Sequence, residues 1–426
     1  MGHLGTVLNI GSISQADIDT LIDACEPAPF GRGPDSVLDD GYRKALKLDE
    51  KNLAWRFNPD SGDFIAQLAQ RLCPWKHIDQ GFRAEVTKLN VYTQGGFFKA
   101  HKDTPKSHQM FGSLVFTLQT PHTGGNLVLR HQDRSLNFDA PSLLNFAPKP
   151  AVAYVAFYSD VEHEVLEVTS GARITITFNL YYDSTRAPPI LSTQRSHHTP
   201  LLPDNPVLRL LRRIIHDAGY DREWYHLGFS LEHQYPWSFT DDDPRGPAPL
   251  KNLKGTDMFL LRALEEVGLK PSLRYLYESE ADSWGNQFDI LLSEPILGRD
   301  ACYGEAGQMA YLFRSDFDAQ IVWRKGQSEE TLRGIAKAQY ERDPLKYSRN
   351  SVNVEWVTPP DRTFAESTPS QNLGNEPSHE VYYYSVCIVV DISDVDYDDV
   401  SDVSEVSDDS DDSEDSSVSS SSEKSS

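Results

Sequence analysis

LNVYTQGGFFKAHKDT, Leu89 to Thr104, is the stretch on which the reading of this chain turns. An alternating strand, a Gly-Gly turn at 95–96 and a second short apolar run place His101 and Asp103 side by side. In a strand, residues i and i+2 point to the same face. A His-x-Asp at a strand end therefore aims an imidazole and a carboxylate at one point, which is two thirds of a metal site. The remaining third is expected from a His on a later strand, and His163 in SDVEHEV is the candidate.

Around this stretch the sequence reads as β structure from about Ala84 to Tyr182. AEVTKLNVY, GSLVFTLQ, GNLVLRH, SLNF, SLLNFA, AVAYVAFY, HEVLEV and RITITFNLYY are short and rich in β-branched and aromatic residues. Gly, Pro, Asn and Asp separate them. About eight strands in a hundred residues predict a double-sheet jelly roll or barrel, a form that keeps ligand sites in its mouth. Two helices are expected before it. SQADIDTLIDACE, capped by Ser12 or Ser14, has Ile18, Leu21 and Ile22 at helical spacing, and a second helix from near Ser61 carries Phe64, Ile65, Leu68 and Leu72 up to Pro74.

After Asp183 the texture changes. STQRSHHTPLLPDNP is a polar, Pro-bearing linker, and VLRLLRRIIHDAG after it is an amphipathic helix. TDMFLLRALEEVG and SEETLRGIAKAQYERD, the latter capped by Ser328, are further helices, with strand-like FDILL, AQIVWR, VNVEWV and VYYYSVCIVVDI between and after them. The fold expectation is thus α+β. A helical lead-in over 1–83 packs on a jelly-roll (double-stranded β-helix) core over 84–183, followed by an α+β segment over 184–393 and a disordered acidic Ser-rich tail over 394–426.

Hydrophobic residues make up 39% and aromatic residues 11% of the 426 residues, enough for a core. No basic n-region with an apolar h-region opens the chain, and no stretch of about 18 apolar residues occurs, so neither secretion nor membrane spanning is expected. Cys25, Cys73, Cys302 and Cys387 form no CxxC pair and are read as reduced, buried thiols of a cytoplasmic or nuclear protein. The net charge of −24 is unevenly spread: the tail from Asp394 holds 13 acids against one Lys, hence −12, and the other 393 residues hold the remaining −12. This is not the basic footprint of a nucleic-acid binder. The tail's Ser residues beside acids suit acidophilic kinases, and the segment reads as a solubilising tail or one that binds a basic partner.

His-x-Asp occurs three times, at His77/Asp79, His101/Asp103 and His131/Asp133. His77 has no strand to aim it, and His131 falls at a strand end before the turn into SLNF. Only His101 follows the strand, Gly-Gly, strand pattern. The 62 residues from His101 to His163 leave room for several intervening strands. Two imidazoles and a carboxylate on one face leave positions open for a cosubstrate and O₂, as in non-haem iron(II) oxygenases, although zinc accepts the same ligands. Ten residues beyond His163, Arg173 opens the strand RITITFNL. If inward, it needs an anionic partner such as a bidentate carboxylate; the alternative is an exposed edge-strand position. Thr175 on the same face and Tyr92 on the strand before His101 could bind the same carboxylate.

KLNVYTQGGFFKAHKDT, GSLVFTLQTPHTGGNLVLRH and YVAFYSDVEHEVLEVTSGARITITFNLYY, in this order, closely resemble the prolyl 4-hydroxylase-like branch of the 2-oxoglutarate and iron(II)-dependent dioxygenases. The resemblance covers about a hundred residues. It implies iron held by His101, Asp103 and His163, the 2-oxoglutarate distal carboxylate held by Arg173, help from Tyr92, and a Gly124-Gly125 turn into a sheet strand. The implied reaction couples oxidative decarboxylation of 2-oxoglutarate by O₂ to hydroxylation of a substrate, with succinate and CO₂ released and ascorbate as an optional reductant. A protein or peptide substrate, prolyl among others, is expected. A small-molecule hydroxylase of the same chemistry and a catalytically silent jelly-roll scaffold working through its tail are the alternatives. No His-x-Asp follows Asp183, which excludes a second active barrel and leaves a degenerate one or a substrate-binding segment. His108, His122 and His131 are read as polar surface or supporting residues rather than ligands.

Overall fold

The computed structural model describes residues 9, 13–32, 35–54, 64–72, 81–107, 109–145, 147, 150–183, 205–220, 226–238, 253–278, 289–292, 320–323, 351–360, 373–374 and 381–393. His77, His108, Cys73, Cys302, most of the 192–206 linker, the expected helix at 328–343 and the acidic tail lie outside them. Among the described residues no helix is long and apolar enough to cross a membrane.

The lead-in holds α1 (Gln15–Ala24), β1 (Glu26–Pro27), β2 (Phe30–Arg32), β3 (Asp35–Val37), β4 (Arg43–Lys44), β5 (Leu46–Asp49) and α2 (Phe64–Leu72). The core follows with β6 (Gly81–Thr93), β7 (Phe97–His101), β8 (Met110–Leu118), β9 (His122–Gly124), β10 (Leu127–His131), β11 (Arg134–Phe138), α3 (Ala140–Asn145), β12 (Val152–Tyr158), β13 (Glu162–Val165) and β14 (Val168–Asp183). The larger sheet runs β1-β5-β6-β14-β8-β12 with β9 beside β14, and the smaller runs β11-β10-β13-β7-β4. The lead-in is therefore not purely helical: β1 and β5 widen one sheet and β4 the other. LKLD at 46–49 has the two-residue alternation that suits such an edge strand.

Alternation in β6 and β14 decides what lies on each side of the larger sheet. Leu89 and Val91, with Ile174, Ile176, Phe178 and Leu180, face a core closed by Ile18 and Leu21 of α1 and Ile65 and Leu68 of α2. Ser14 fixes the start of α1 through a capping box with Asp17. The intervening residues pair across the ladder as Tyr92–Arg173, Asn90–Thr175 and Lys88–Thr177. All six line the space between the two sheets, so the apolar stripe faces the helices and the polar stripe faces the site.

SLLNFA, expected as a strand, is helical over its first four residues: α3 covers Ala140–Asn145. Asp139 accepts from the Ser142 N–H at 3.1 Å and from its hydroxyl at 2.7 Å. This first-turn cap outweighs the β preference of so short a run.

The second part comprises α4 (Pro206–Tyr220), β15 (His226–Ser230), β16 (Tyr235–Ser238), α5 (Gly255–Glu266), β17 (Pro271–Glu278), β18 (Asp289–Leu292), β19 (Gln320–Trp323), β20 (Ser351–Thr358), β21 (Leu373–Gly374) and β22 (Val381–Asp391). Its sheet runs β15-β20-β19-β18-β17-β22-β16, and β15 also pairs with β22, which closes six of the strands into a ring. The pairs β15–β20 and β19–β20 are parallel, unlike the antiparallel ladders of the first part. Along β22 alternation again sorts the residues: Ile388 and Val390 pack with Leu208, Leu211, Leu261 and Leu264 of α4 and α5, whereas Cys387 and Val389 join Leu291, Val322 and Val354.

Phe178, 1% exposed in the middle of β14, carries the packing between sheet and helices. Phe178→Ala should lower the free energy of unfolding by about 3–5 kcal/mol, read from urea denaturation followed by tryptophan fluorescence.

Candidate metal centre

β7 and β13 are antiparallel neighbours, with His101 directly opposite His163. Asp103 follows two residues past His101, and all three side chains are buried. Their ligating atoms lie within 4.8 Å of one another, with His163 Nε2 at 3.8 Å from Asp103 Oδ1. The tautomers follow from backbone contacts. His101 Nδ1 lies 2.8 Å from the Lys99 carbonyl and His163 Nδ1 lies 3.0 Å from the Val161 carbonyl. A carbonyl only accepts, so each Nδ1 carries the proton and each Nε2 offers a lone pair. Ser113 donates to Asp103 Oδ2. Burial, with His163 adjacent, holds the His101 imidazole well below its usual range and so neutral. Two imidazoles and a carboxylate on one face suit a divalent metal with open positions.

The space beside this trio holds about 460 Å³ not occupied by atoms, counting the part open to solvent. Arg173, Thr175 and Tyr92 line it, as do Arg43 and Lys88. Arg173 is on a central strand, between β6 and β8, and is 2% exposed, so the edge-strand alternative does not hold. Its guanidinium sits 5.4 Å from the Tyr92 ring centre, and its Nε has no hydrogen-bond partner. Burial draws its pKa below the usual guanidinium value, yet the group remains cationic. A buried cation that lines a cavity and has an unpartnered donor fits a carboxylate-bearing ligand. Gly125 makes room for it: its φ is +69°, and a Cβ there would come within 2.9 Å of Arg173 Cδ.

Residues 87–181 match the family model described as the 2OG-Fe(II) oxygenase superfamily. This segment is a 2OG-Fe(II) oxygenase domain. It makes the chain an enzyme of the dioxygenase class. No curated protein matches the chain. Among solved structures, it is similar to a Burkholderia pseudomallei oxidoreductase of the 2OG-Fe(II) oxygenase family, at 16% identity over 41% of this chain and 80% of that one, TM-score 0.27. It is also similar to a Pseudomonas putida prolyl-4-hydroxylase, at 20% identity over 39% and 83%, TM-score 0.25. A third is a Trichoplax adhaerens prolyl hydroxylase in complex with a hypoxia inducible factor oxygen degradation domain peptide fragment, at 16% identity over 42% and 79%, TM-score 0.23. At these scores the structural likeness carries no weight for fold or substrate.

Several residues of the oxygenase domain's surroundings were not visible in the motifs. Arg43, from the lead-in, donates to the Pro29 carbonyl at 2.6 Å and to Asn90 Oδ1 at 2.9 Å, and lies 4.4 Å over the Phe98 ring. Phe98 in turn stacks on His101 at 3.6 Å. No spacing rule links a two-residue strand to that stack. His122, read as a supporting residue, is partly buried near Arg173, and its Nδ1 lies 2.8 Å from the Thr120 carbonyl.

His131, also read as surface or support, has a different setting. With Asp160 and His233 it forms a second His/Asp/His group. Asp160 Oδ2 lies 3.0 Å from His233 Nδ1, 3.0 Å from the Gln234 N–H and 3.4 Å from His131 Nε2, while Oδ1 accepts from Lys254 Nζ at 2.8 Å. The two imidazoles stack at 4.8 Å and 18°. Parallel rings do not converge on a tetrahedral ion, and four donors already saturate the carboxylate. The group is an ionic anchor joining the oxygenase domain to His233, Gln234 and Lys254.

Burial would raise the Asp160 pKa, but Lys254, His131 and His233 together hold it well below the usual carboxylate range. A depressed folded-state pKa gives stability that is present above the unfolded value and lost as pH falls toward the folded one. Wild type should exceed Asp160→Asn by about 3–5 kcal/mol at neutral pH. The gap should narrow below about pH 4, read from urea midpoints across pH.

Proposed function

We propose that this chain is an iron(II)- and 2-oxoglutarate-dependent hydroxylase of a protein or peptide, with succinate and CO₂ as coproducts. The observation that carries the reading is Arg173, a buried guanidinium that lines the same cavity as the His101, Asp103 and His163 trio and whose Nε has no hydrogen-bond partner. In this reading His101 Nε2, Asp103 Oδ1 and His163 Nε2 hold the metal. The bound iron supplies O₂ activation coupled to oxidative decarboxylation of the cosubstrate.

The remaining work belongs to the protein. Arg173 anchors the distal carboxylate of 2-oxoglutarate, and Thr175 and Tyr92, on the same and the facing strand, orient it. The backbone carbonyls of Lys99 and Val161 fix both imidazoles in the metal-binding tautomer. Ser113 holds the Asp103 carboxylate in one rotamer. Phe98, Leu127, Phe157 and Val165 keep the inner wall apolar and limit water around the reacting centre. A peptide substrate follows from the sequence resemblance to prolyl 4-hydroxylase-like dioxygenases, and the oxygenase unit at about 84–183 with a separate segment beyond it, in a cytoplasmic or nuclear setting, belongs to the same proposal.

With an extract as substrate source, wild type should form succinate in an iron-dependent way and His163→Ala should form none. Mass spectrometry should find peptides carrying one added oxygen only with wild type. Arg173→Ala should raise the KM for 2-oxoglutarate about 10- to 100-fold, the loss of a charge-assisted carboxylate contact worth about 1.5–3 kcal/mol. Equal succinate formation by wild type and His163→Ala would overturn the reading.

A further inference from the structure

The turn at residues 231–234, in the second part of the chain, reaches both strands that carry the metal trio. Gln234 Oε1 accepts from Lys102 Nζ at 2.8 Å, and Lys102 is the residue between His101 and Asp103. The Gln234 N–H and His233 Nδ1 contact Asp160 Oδ2, and Asp160 lies in the turn between β12 and β13, three residues before His163. Lys254 completes the arrangement by donating to Asp160 Oδ1 at 2.8 Å and to the Gln234 carbonyl at 2.9 Å. The first residue of α5 adds a contact of its own, with the Gly255 N–H donating to the Tyr158 hydroxyl at 3.1 Å.

These contacts fall where the sheet gives least support. β7 ends at His101, Lys102 makes only an isolated bridge, and Asp103 lies past the strand. Backbone hydrogen bonds hold His101 in place, whereas the angle between the His101 and Asp103 side chains depends on the torsions of Lys102. A side chain fixed at its tip restricts those torsions. Lys102 points away from the cavity, since it does not line it, so Gln234 works from behind the metal trio and touches none of its ligands.

We propose that Gln234 is a positioning residue for the metal centre, so that the second part of the chain sets the geometry of the site in the oxygenase domain. This rests on the reading of His101, Asp103 and His163 as metal ligands. Contacts that orient ligands from outside the coordination sphere typically change metal affinity about 10- to 100-fold when removed. Gln234→Ala deletes the Lys102 contact but keeps the backbone N–H to Asp160, and Gln234→Glu keeps an acceptor at the same reach.

The test is an anaerobic titration of the full chain with Co(II), following its visible ligand-field bands, alongside the thermal midpoint of each variant. Wild type should bind one Co(II) with a band that His163→Ala lacks. Gln234→Ala should bind about 10-fold more weakly with a shifted band, and Gln234→Glu should restore both. Lys102→Met removes the same hydrogen bond from the other side and should reproduce the loss, which keeps the test decisive if Gln234→Ala lowers the thermal midpoint. Wild-type affinity and band in both Gln234→Ala and Lys102→Met would overturn the positioning role while leaving the metal assignment standing. A wild-type band that persists in His163→Ala would instead strike the metal assignment, and this inference with it.

Discussion

A guanidinium buried between two sheets with a bare donor is costly unless an anion completes it, and the architecture around Arg173 is arranged about that cost. Its strand is long and central, so the cation cannot reach solvent. The alternating residues of the same strand supply the apolar stripe that binds α1 and α2. One sixteen-residue strand thereby stabilises the fold on one face and builds the cavity on the other. The ladder with β6 extends this to pairs, setting Tyr92 opposite Arg173 and Asn90 opposite Thr175.

The trio of His101, Asp103 and His163 depends on the smaller sheet in a complementary way. Direct opposition of His101 and His163 across the β7–β13 pair needs no long side-chain reach, and backbone carbonyls fix both tautomers. Asp103 is the member held least by the sheet. Its support comes from Ser113 and, through Lys102, from the turn at Gln234. The Asp160 anchor then links that turn to the other half of the trio, so that the buried Asp160, His233 and Lys254 and the metal-binding strands form one connected body.

Much of this was legible in the sequence wherever one period dominated. The helical spacing of Ile18, Leu21 and Ile22, the alternation of RITITFNLYY and the strand, Gly-Gly, strand pattern before His101 each correspond to an element observed. For Arg173 the sequence left an inward and an exposed edge position open, and the side chain is inward. The helix at Ala140–Asn145 gives no periodic signal because it rests on one Asp139 cap. The short lead-in strands and Arg43 escaped notice because two residues carry no period. His131, Asp160 and His233 are far apart in sequence, and only the docking of the second part on the first brings them together. The ring of mixed strands in that second part was equally hidden, since parallel and antiparallel strands share the same two-residue alternation.

The claim that this centre is an iron site built on His101, Asp103 and His163 is tested most directly by anomalous diffraction at the iron edge from crystals grown anaerobically with iron(II). The geometry predicts one strong peak within coordination distance of His101 Nε2, Asp103 Oδ1 and His163 Nε2. A peak instead between His131, Asp160 and His233, or no peak at the first trio in crystals shown to contain bound iron, would contradict it.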